Sequence, residues 1–333
     1  MKFIMKKKIK IVVTGGAGFI GSHLTDLLVK KDFNVIVLDD LSTGSLKNLK
    51  NSKKKINFNK IDISKRGNWY KLFKGAQVVI HLAAKADIVP SIINPESYYE
   101  TNVNGTYNVI KYALKAKVKT FIYAASSSCY GLANQLPTAE TAKIDLRYPY
   151  ALTKNLGEKI IEHFSKVYNF NAVSLRLFNV YGTRSRTSGA YGAVFGVFLA
   201  QKYHRKPLTV VGNGEQSRDF VHVKDVANAF FKAIKFAKKF QIFNIGCNRP
   251  IKINKIANII GGKKIYIPKR PGEPEKTHAN INKAIKFLKW KPKIKIEEGT
   301  KEILKNIKMW KDAPVWTPSK IKESTKEWFK RIK

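Results

Sequence analysis

The sequence predicts an α/β fold with a doubly wound parallel sheet, and three observations support this prediction. Short apolar segments of strand length recur along the first half of the chain. Several of the segments between them are predicted as helices. The first apolar segment enters a glycine-rich turn at residues 15–21. Strands that alternate with helices pack into a parallel sheet covered by helices on both faces.

The predicted elements follow one another in the order expected for a Rossmann-type sheet. Strands are predicted at residues 9–13, 34–38, 56–61, 76–80, 119–124 and 172–177. Helices are predicted at residues 22–31, about 95–115 and about 150–167. In a sheet of this kind, ligands bind at the carboxyl ends of the strands. We therefore assign residues 1–177 to a Rossmann-type domain.

The pattern becomes irregular after about residue 180, where glycine-rich loops and short elements alternate with basic stretches. We interpret residues 178–333 mainly as a smaller α/β substrate-binding domain with a C-terminal tail. An apolar run near residues 240–246 is expected to return to the main sheet, so that the two domains interleave. The tail carries Trp310, Trp316 and Trp328 among lysines. We expect it to pack onto the body of the protein or onto a partner subunit.

The charge of the chain invites an interpretation as a nucleic-acid-binding protein, because the formal net charge is +40. Of the 63 basic residues, however, 53 are lysine and only 10 are arginine. Lysine is the general solvated cation, whereas phosphate and base recognition favours the arginine fork. A charge total bears on solubility and partners but not on fold. We therefore expect no nucleic-acid partner, and an excess of lysine that only helps to attract anionic ligands.

Other compositional features restrict the class of protein. Two cysteines, Cys129 and Cys247, cannot form a disulfide framework, and their scarcity favours a reducing cytoplasm. No apolar run reaches the roughly 18 residues of a membrane span, so no membrane insertion is expected. Six scattered histidines without a Cys/His cluster predict no metal site.

The glycine turn indicates a dinucleotide cofactor. Gly15, Gly18 and Gly21 lie between a predicted strand and a predicted helix, where backbone N–H groups can approach a pyrophosphate. Asp39 ends the next strand, 18 residues after Gly21. A carboxylate at this position can accept both adenosine ribose hydroxyls and would repel a 2′-phosphate. The cofactor is therefore predicted to be NAD rather than NADP. Asp62 and Ile63 are expected to contact the edge of its adenine ring.

A second motif indicates proton-transfer chemistry. Tyr150 and Lys154 are four residues apart, so they share one face of a helix. A phenol with a pKa near 10 is a poor base at neutral pH, but a neighbouring ammonium and a cationic nicotinamide would lower that pKa. Ser126, at the end of the fifth predicted strand, can place a hydroxyl beside the phenol.

These motifs together resemble the extended short-chain dehydrogenase/reductase family, whose members act on nucleotide sugars. The resemblance rests on ordered segments at residues 14–21, 81–84, 102–105, 126–131, 150–154, 176–182 and 217–223. It covers about residues 8–310 and is strongest to UDP-sugar 4-epimerases. It implies a Ser126, Tyr150 and Lys154 catalytic triad, tightly bound NAD and a nucleotide-sugar substrate. It also implies a homodimer formed by helices near residues 98–115 and 153–167.

The resemblance also implies the binding residues. The expected NAD contacts are Gly15, Gly18, Phe19, Ile20, Asp39, Asp40, Ser42, Thr43, Gly44, Asp62, Ile63, Leu82, Ala83, Ala84, Asn102, Tyr150 and Lys154. The expected substrate contacts are Ser126, Ser127, Asn179, Ala193, Val194, Val211, Arg218 and Arg270, of which Asn179, Arg218 and Arg270 would contact the diphosphate. Residues 188–195 would lie over the nucleotide and sugar. Thr277 falls where a small residue would leave room for an N-acetyl group.

The choice of reaction depends on the residues after Ser126. Related 4,6-dehydratases usually have Asp-Glu there, and decarboxylating relatives usually keep a Glu nearby. This chain has Ser127 and Ser128, whose hydroxyls cannot do that acid–base work unaided. Oxidation, rotation and reduction of the sugar at C4 are therefore expected. Dehydration, decarboxylation and epimerisation at another carbon stay open, as does a catalytically idle, basic NAD-binding module. Arg147 and Thr153 depart from the family pattern and leave the sugar specificity open.

Overall fold

The fold is shown by a computed structural model, which describes residues 8–185, 193–236 and 239–332. Its strands are β1 (Lys10–Thr14), β2 (Asn34–Asp39), β3 (Ile56–Lys60), β4 (Val78–His81), β5 (Thr120–Ser126), β6 (Asn171–Leu177), β7 (Asn179–Tyr181), β8 (Leu208–Val211), β9 (Ser217–His222), β10 (Gln241–Ile245), β11 (Pro250–Lys252) and β12 (Lys264–Ile267). Seven of them form one parallel sheet in the order β10-β6-β5-β4-β1-β2-β3. The predicted fold class is confirmed.

The helices cover both faces of this sheet. They are α1 (Phe19–Lys30), α2 (Ile88–Ile93), α3 (Pro95–Tyr99), α4 (Gly105–Lys115), α5 (Pro149–Val167), α6 (Val194–Tyr203), α7 (Val223–Ile234), α8 (Ile253–Ile260), α9 (Ile296–Lys305), α10 (Pro318–Ser324) and α11 (Lys326–Arg331). Alternate residues of each strand face opposite sides. Val13 therefore belongs to one core with α1 and α7, and Val12 to the other with α4 and α5.

Two helices differ from their predicted limits. Helix α1 begins at Phe19 rather than residue 22, because the glycine turn supplies its first acceptor: the Ser22 N–H donates to the Gly18 carbonyl at 3.0 Å. The predicted helix at 95–115 is divided, since a π-helical stretch at Glu100–Asn104 separates α3 from α4. These differences move no predicted site residue away from the carboxyl edge of the sheet.

The second half of the chain packs around this sheet. Strands β7, β9 and β11 form one small sheet and β8 pairs with β12, whereas β10 lies beside β6 at the edge of the main sheet. Trp310 and Trp328 of the tail are buried in a core that also contains Val89 and Ile92 of α2. The tail therefore packs onto the body. The division into domains 1–177 and 178–333 stays a prediction.

Helix α5 is fixed to the sheet by a buried ion pair. The Arg176 guanidinium on β6 donates from Nη2 to Glu158 Oε1 at 2.5 Å, and the side chains are 4% and 1% exposed. The Ser174 hydroxyl also donates to Glu158, at 2.6 Å. A buried pair with these extra hydrogen bonds holds the helix in one place, because neither charge can be left alone without a large desolvation cost.

Glu158→Gln tests this anchor. It leaves the buried Arg176 without a counter-charge, so the apparent free energy of unfolding should fall by about 3–5 kcal/mol in urea denaturation. Lys159→Gln on the same helix is the control. It breaks a surface pair with Glu162 and should cost less than about 1 kcal/mol. Equal effects of the two changes would contradict an anchoring role.

Candidate active site

A cavity of about 1820 Å³ lies over the carboxyl ends of β1, β2 and β4. The strand order reverses there, since β1 is flanked by β2 on one side and β4 on the other. Such a switch point is the usual ligand site of doubly wound sheets. Its walls include these predicted cofactor residues: Gly15, Gly18, Phe19, Ile20, Asp39, Asp40, Ser42, Thr43, Gly44, Asp62, Ile63, Leu82, Ala83 and Ala84.

The glycine turn packs directly on the segment that follows β4. Gly15 has a φ of +70°, and a Cβ added there would lie 2.6 Å from the Ala83 backbone nitrogen. A Cβ on Gly21 would lie 2.0 Å from the Gly15 carbonyl oxygen. No side chain fits at either position, so the backbone itself forms the cavity wall. The first turn of α1 adds free N–H groups beside it, a suitable environment for a pyrophosphate.

Asp39 places a carboxylate in the cavity wall. It accepts hydrogen bonds from the backbone N–H groups of Ala17 and Leu41, both at 2.9 Å. Each carboxylate oxygen keeps a second lone pair for a ligand hydroxyl. A Cβ on Gly44 would lie 2.7 Å from the same carboxylate, so glycine leaves space there. Together with the glycine turn, this donor and acceptor set fits NAD.

Asn102 is buried between two segments rather than in the cavity wall. Its Nδ2 donates to the Lys85 carbonyl and to the Thr153 hydroxyl, both at 3.0 Å, and its Oδ1 accepts from the Lys85 N–H at 2.8 Å. Asn102 thereby joins the segment after β4 to helix α5. Its predicted contact with NAD stays a prediction.

Two of the predicted catalytic residues, Ser126 and Tyr150, lie beside each other at the end of β5 and the start of α5, and Lys154 follows one turn further along α5. Ser126 is the last residue of β5, and its hydroxyl lies close enough to the Tyr150 phenol to act to lower the pKa of that phenol. The Ser126 hydroxyl also lies 2.8 Å from that of Ser128. None of the three lines the large cavity itself. Tyr150 adjoins it, because its ring centroid is 6.5 Å from that of Tyr98, which does line the cavity.

Burial controls the ionisation of this group. It raises the pKa of the Tyr150 phenol to about 12, against the opposing hydrogen bond from Ser126. It lowers the pKa of Lys154 to about 7, against the opposing charge of Glu158 one turn along α5. The Lys154 amine lies 4.2 Å from the centroid of the Tyr123 ring. Without a further cation, the site therefore holds Tyr150 as a neutral phenol at pH 7.

Two predicted substrate arginines are brought together by one carboxylate. Glu273 Oε1 lies 3.1 Å from Arg218 Nη2, and Glu273 Oε2 accepts from Arg270 Nε at 2.9 Å. Burial acts to raise the pKa of Glu273, but Arg270 and Arg218 outweigh it, and the pKa is lowered. A smaller cavity of about 340 Å³ is lined by Arg218, Glu273 and Val211, and Arg270 is not part of its lining. Because two guanidinium groups share one carboxylate, the group of Arg218, Arg270 and Glu273 keeps one net positive charge, which suits an anionic group such as a diphosphate.

The remaining predicted substrate residues are dispersed. Asn179 accepts a hydrogen bond from the Thr277 hydroxyl at 3.2 Å. Ala193 lines the large cavity, whereas Val194 begins α6 and packs against the core. Ser127 follows Ser126 in a short 3₁₀ turn. Within the predicted glycine-rich segment 188–195, residues 188–192 lie outside the described part of the chain.

Sequence reasoning missed several residues of the cavity rim. The Tyr98 hydroxyl donates to the Asp87 carbonyl at 2.6 Å, and both residues line the cavity. Across the cavity, Arg184 Nη2 lies 2.7 Å from Asp26 Oδ2 and ties the segment after β7 to α1. Arg184 and Asp26 are 158 residues apart in the chain, so no local pattern could have predicted their contact.

Metal ligands and membrane-spanning helices are both absent from the described ranges. Across residues 8–185, 193–236 and 239–332, no three His, Cys, Asp or Glu side chains cluster as metal ligands would. In the same ranges, none of the helices has the length and apolarity that crossing a bilayer requires.

Comparison with known proteins agrees with this geometry. Residues 11–246 match the NAD dependent epimerase/dehydratase family. A Methanocaldococcus jannaschii protein named putative UDP-glucose 4-epimerase is 37% identical over 302 residues, 88% of this chain and 97% of that protein. A solved structure shows a UDP-N-acetylglucosamine 4-epimerase from Methanobrevibacter ruminantium in complex with UDP-N-acetylmuramic acid. Its sequence is 30% identical to this chain, and the two structures superpose with a TM-score of 0.86 over 92% of this chain and 99% of that chain. A second solved structure shows a UDP-glucuronic acid 4-epimerase from Bacillus cereus in complex with UDP-glucuronic acid and NAD. Its sequence is 29% identical to this chain, and the TM-score is 0.83 over 90% of this chain and 99% of that chain.

Gly15→Ala tests the close approach in the cavity wall. The added Cβ would displace the segment at Ala83, so NAD affinity measured by calorimetry should fall at least about tenfold, which corresponds to about 1.4 kcal/mol. Gly75→Ala is the matched control, because Gly75 has a similar φ of +75° and a Cβ added there would meet nothing within 4 Å. The control should bind NAD normally. Equal losses in both variants would mean that backbone strain alone is responsible.

Proposed function

The chain belongs to the NAD dependent epimerase/dehydratase family, and we propose on that premise that it is an NAD-dependent nucleotide-sugar 4-epimerase. The proposed substrate is a UDP-hexose or a UDP-N-acetylhexosamine. One observation carries the proposal: the Tyr150 phenol lies beside Ser126, one helical turn before Lys154, and next to a large dinucleotide-sized cavity. The names of the relatives, which include UDP-glucose, UDP-N-acetylglucosamine and UDP-glucuronic acid 4-epimerases, support it.

The cofactor is NAD, which the glycine turn, the start of α1 and Asp39 would hold. When bound, it would accept a hydride from the sugar and return it, and its oxidised form would add a positive charge to the site. Because burial has raised the pKa of the Tyr150 phenol to about 12, an added positive charge would lower the pKa toward neutrality and increase the fraction of phenolate. Lys154 is protonated in part near pH 7 and acts in the same direction.

In this proposal, Tyr150 is the general base and acid. As phenolate it removes the proton from the C4 hydroxyl of the sugar while the C4 hydride leaves, which gives a 4-keto sugar. The Ser126 hydroxyl, which lies beside the phenol, would orient the reacting oxygen. After the keto sugar turns about its diphosphate linkage, the hydride returns to the opposite face and Tyr150 gives the proton back.

Arg218 and Arg270 hold the diphosphate during that rotation. Their shared contact with Glu273 keeps the two guanidinium groups together, and Arg218 lines the smaller cavity. Charge-assisted, bidentate contacts of this type are among the stronger hydrogen bonds available to a protein. The sugar would make fewer contacts with the protein than the diphosphate does, so that the sugar can rotate while the diphosphate stays bound.

The residues around Ser126 support epimerisation over the related reactions. The Ser128 hydroxyl lies 2.8 Å from the Ser126 hydroxyl. A serine hydroxyl cannot by itself act as the additional acid or base that the loss of water requires. The second candidate is a nucleotide-sugar 4,6-dehydratase or decarboxylase, which would need another acid or base from this region. Product mass separates these reactions, because an epimer keeps the mass of its substrate.

We further propose a homodimer formed through α4 and α5, and a cytoplasmic location. Tyr107 of α4 and Leu152 of α5 are 40% and 44% exposed, which supports a partner surface there. Both cysteines of the chain are free thiols, which is consistent with a reducing compartment.

Product analysis tests the reaction. Incubation with UDP-glucose, UDP-N-acetylglucosamine and UDP-glucuronate should give, for at least one of them, a 4-epimer of unchanged mass. Tyr150→Phe removes the general base and should lower kcat by about 10²–10⁴-fold, whereas Tyr107→Phe, far along the exposed face of α4, should leave it unchanged. Loss of water or carbon dioxide from the sugar, or full activity of Tyr150→Phe, would contradict the proposal.

The same assay tests the expectation for Thr277. If its small side chain leaves room for an N-acetyl group, the N-acetylated sugar should be turned over in preference to the plain hexose. Thr277 also has a packing role, because its hydroxyl accepts from the Asp219 N–H at 3.0 Å. Equal turnover of the two sugars would leave that packing role as its function.

A further inference from the structure

The C-terminal tail returns to the substrate side of the molecule. Helix α11 packs against α2, which follows the cavity-lining segment after β4. This tail lies beyond residues 11–246, the range that matches the family. Trp328 is only 3% exposed although it lies in α11, the last helix of the described chain. A buried aromatic side chain in a terminal segment indicates a specific docking contact.

Trp328 contacts both the side chain and the backbone around Arg270. The guanidinium carbon of Arg270 lies 5.4 Å from the centroid of the indole ring, within cation–π range. The indole Nε1–H donates to the carbonyl of Pro271, the next residue, at 2.8 Å. Glu273 binds the same guanidinium through its edge. Arg270 is therefore restrained by a carboxylate at its edge and by an aromatic ring at its face.

The same indole also touches the entry to the catalytic helix. Its ring centroid is 5.9 Å from that of Tyr148, the N-cap residue of α5, two residues before Tyr150. One tail side chain thus bridges the Arg270 loop and the start of α5. These two segments have to keep a fixed separation if the diphosphate anchor and the reacting tyrosine are to serve one substrate.

We propose that Trp328 is a positioning residue that holds Arg270 for the substrate diphosphate. The inference rests on the proposed function, since it takes the ligand of Arg270 to be the diphosphate of a nucleotide sugar. Its physical basis is entropic as well as electrostatic. An arginine side chain has many rotamers, and fixing it before the ligand arrives lowers the cost of binding.

The experiment compares three tail variants in the full-length protein. Trp328→Ala removes the ring, Trp328→Phe keeps an aromatic face but loses the N–H bond, and Phe329→Ala changes the neighbouring, 46% exposed residue as a control. Binding of UDP and of uridine is measured by calorimetry, together with NAD affinity, the melting temperature, KM and kcat.

We expect Trp328→Ala to weaken UDP binding about tenfold and Trp328→Phe about threefold, with uridine and NAD affinities unchanged. KM for the nucleotide sugar should rise in parallel, and kcat should change by less than about threefold. Phe329→Ala should match the unaltered protein. In an Arg270→Ala background, Trp328→Ala should add no further loss of UDP affinity, because it acts through that arginine.

Other outcomes overturn the inference in distinguishable ways. If Trp328→Ala weakens UDP and uridine equally, or if its effect persists without Arg270, the role of Trp328 is merely structural. If Trp328→Ala fails to fold, normal UDP binding by Trp328→Phe leads to the same conclusion. In these cases the unaltered protein still binds UDP and the proposed function stands. If the unaltered protein itself binds no UDP, the proposed function fails and the inference fails with it.

Discussion

The buried Glu158–Arg176 ion pair is the interaction on which the geometry of the candidate site depends. It ties helix α5 to β6, and α5 carries Tyr150 in its first turn and Lys154 in its second. The Arg176 guanidinium also donates to the Tyr130 hydroxyl at 2.9 Å, which in turn donates to Asn244 on β10. A single polar network therefore connects helix α5 with the edge strand contributed by the second half of the chain. Such a network is stable only when all its members are paired, which leaves α5 little freedom to shift.

Burial of helix α5 also disfavours the charged forms of the two candidate groups that it carries, Tyr150 and Lys154. Desolvation raises the pKa of Tyr150 and lowers that of Lys154, so the protein alone favours the neutral phenol and, near pH 7, an amine that is only partly protonated. A low-dielectric site of this kind responds strongly to any added charge. The positive charge of an oxidised nicotinamide would therefore favour the phenolate form of Tyr150, which can accept a proton, when a hydride acceptor is present. Proton and hydride transfer are coupled in this way by electrostatics.

Local patterns in the sequence predicted much of the cavity wall, because a turn, a helix start and a strand end are determined by neighbouring residues. The glycine turn and Asp39 both line the cavity for this reason. Contacts between distant segments could not be predicted. Glu273 lies between Arg218 and Arg270, Trp328 reaches Pro271, and Asn102 binds Lys85 rather than facing the cavity. These arrangements depend on how the two halves of the chain pack, and periodicity and spacing do not encode that packing.

The central claim is that the charge of the bound cofactor sets the ionisation of Tyr150. The most direct test is a tyrosinate absorbance titration of the protein with bound NAD⁺ and of the same protein reduced to NADH, each corrected by subtraction of Tyr150→Phe. Because an opposite charge within about 4–6 Å lowers a pKa by about 1–3 units, the Tyr150 pKa should be lower by that amount in the NAD⁺ form. An identical Tyr150 pKa in the two forms would contradict the account.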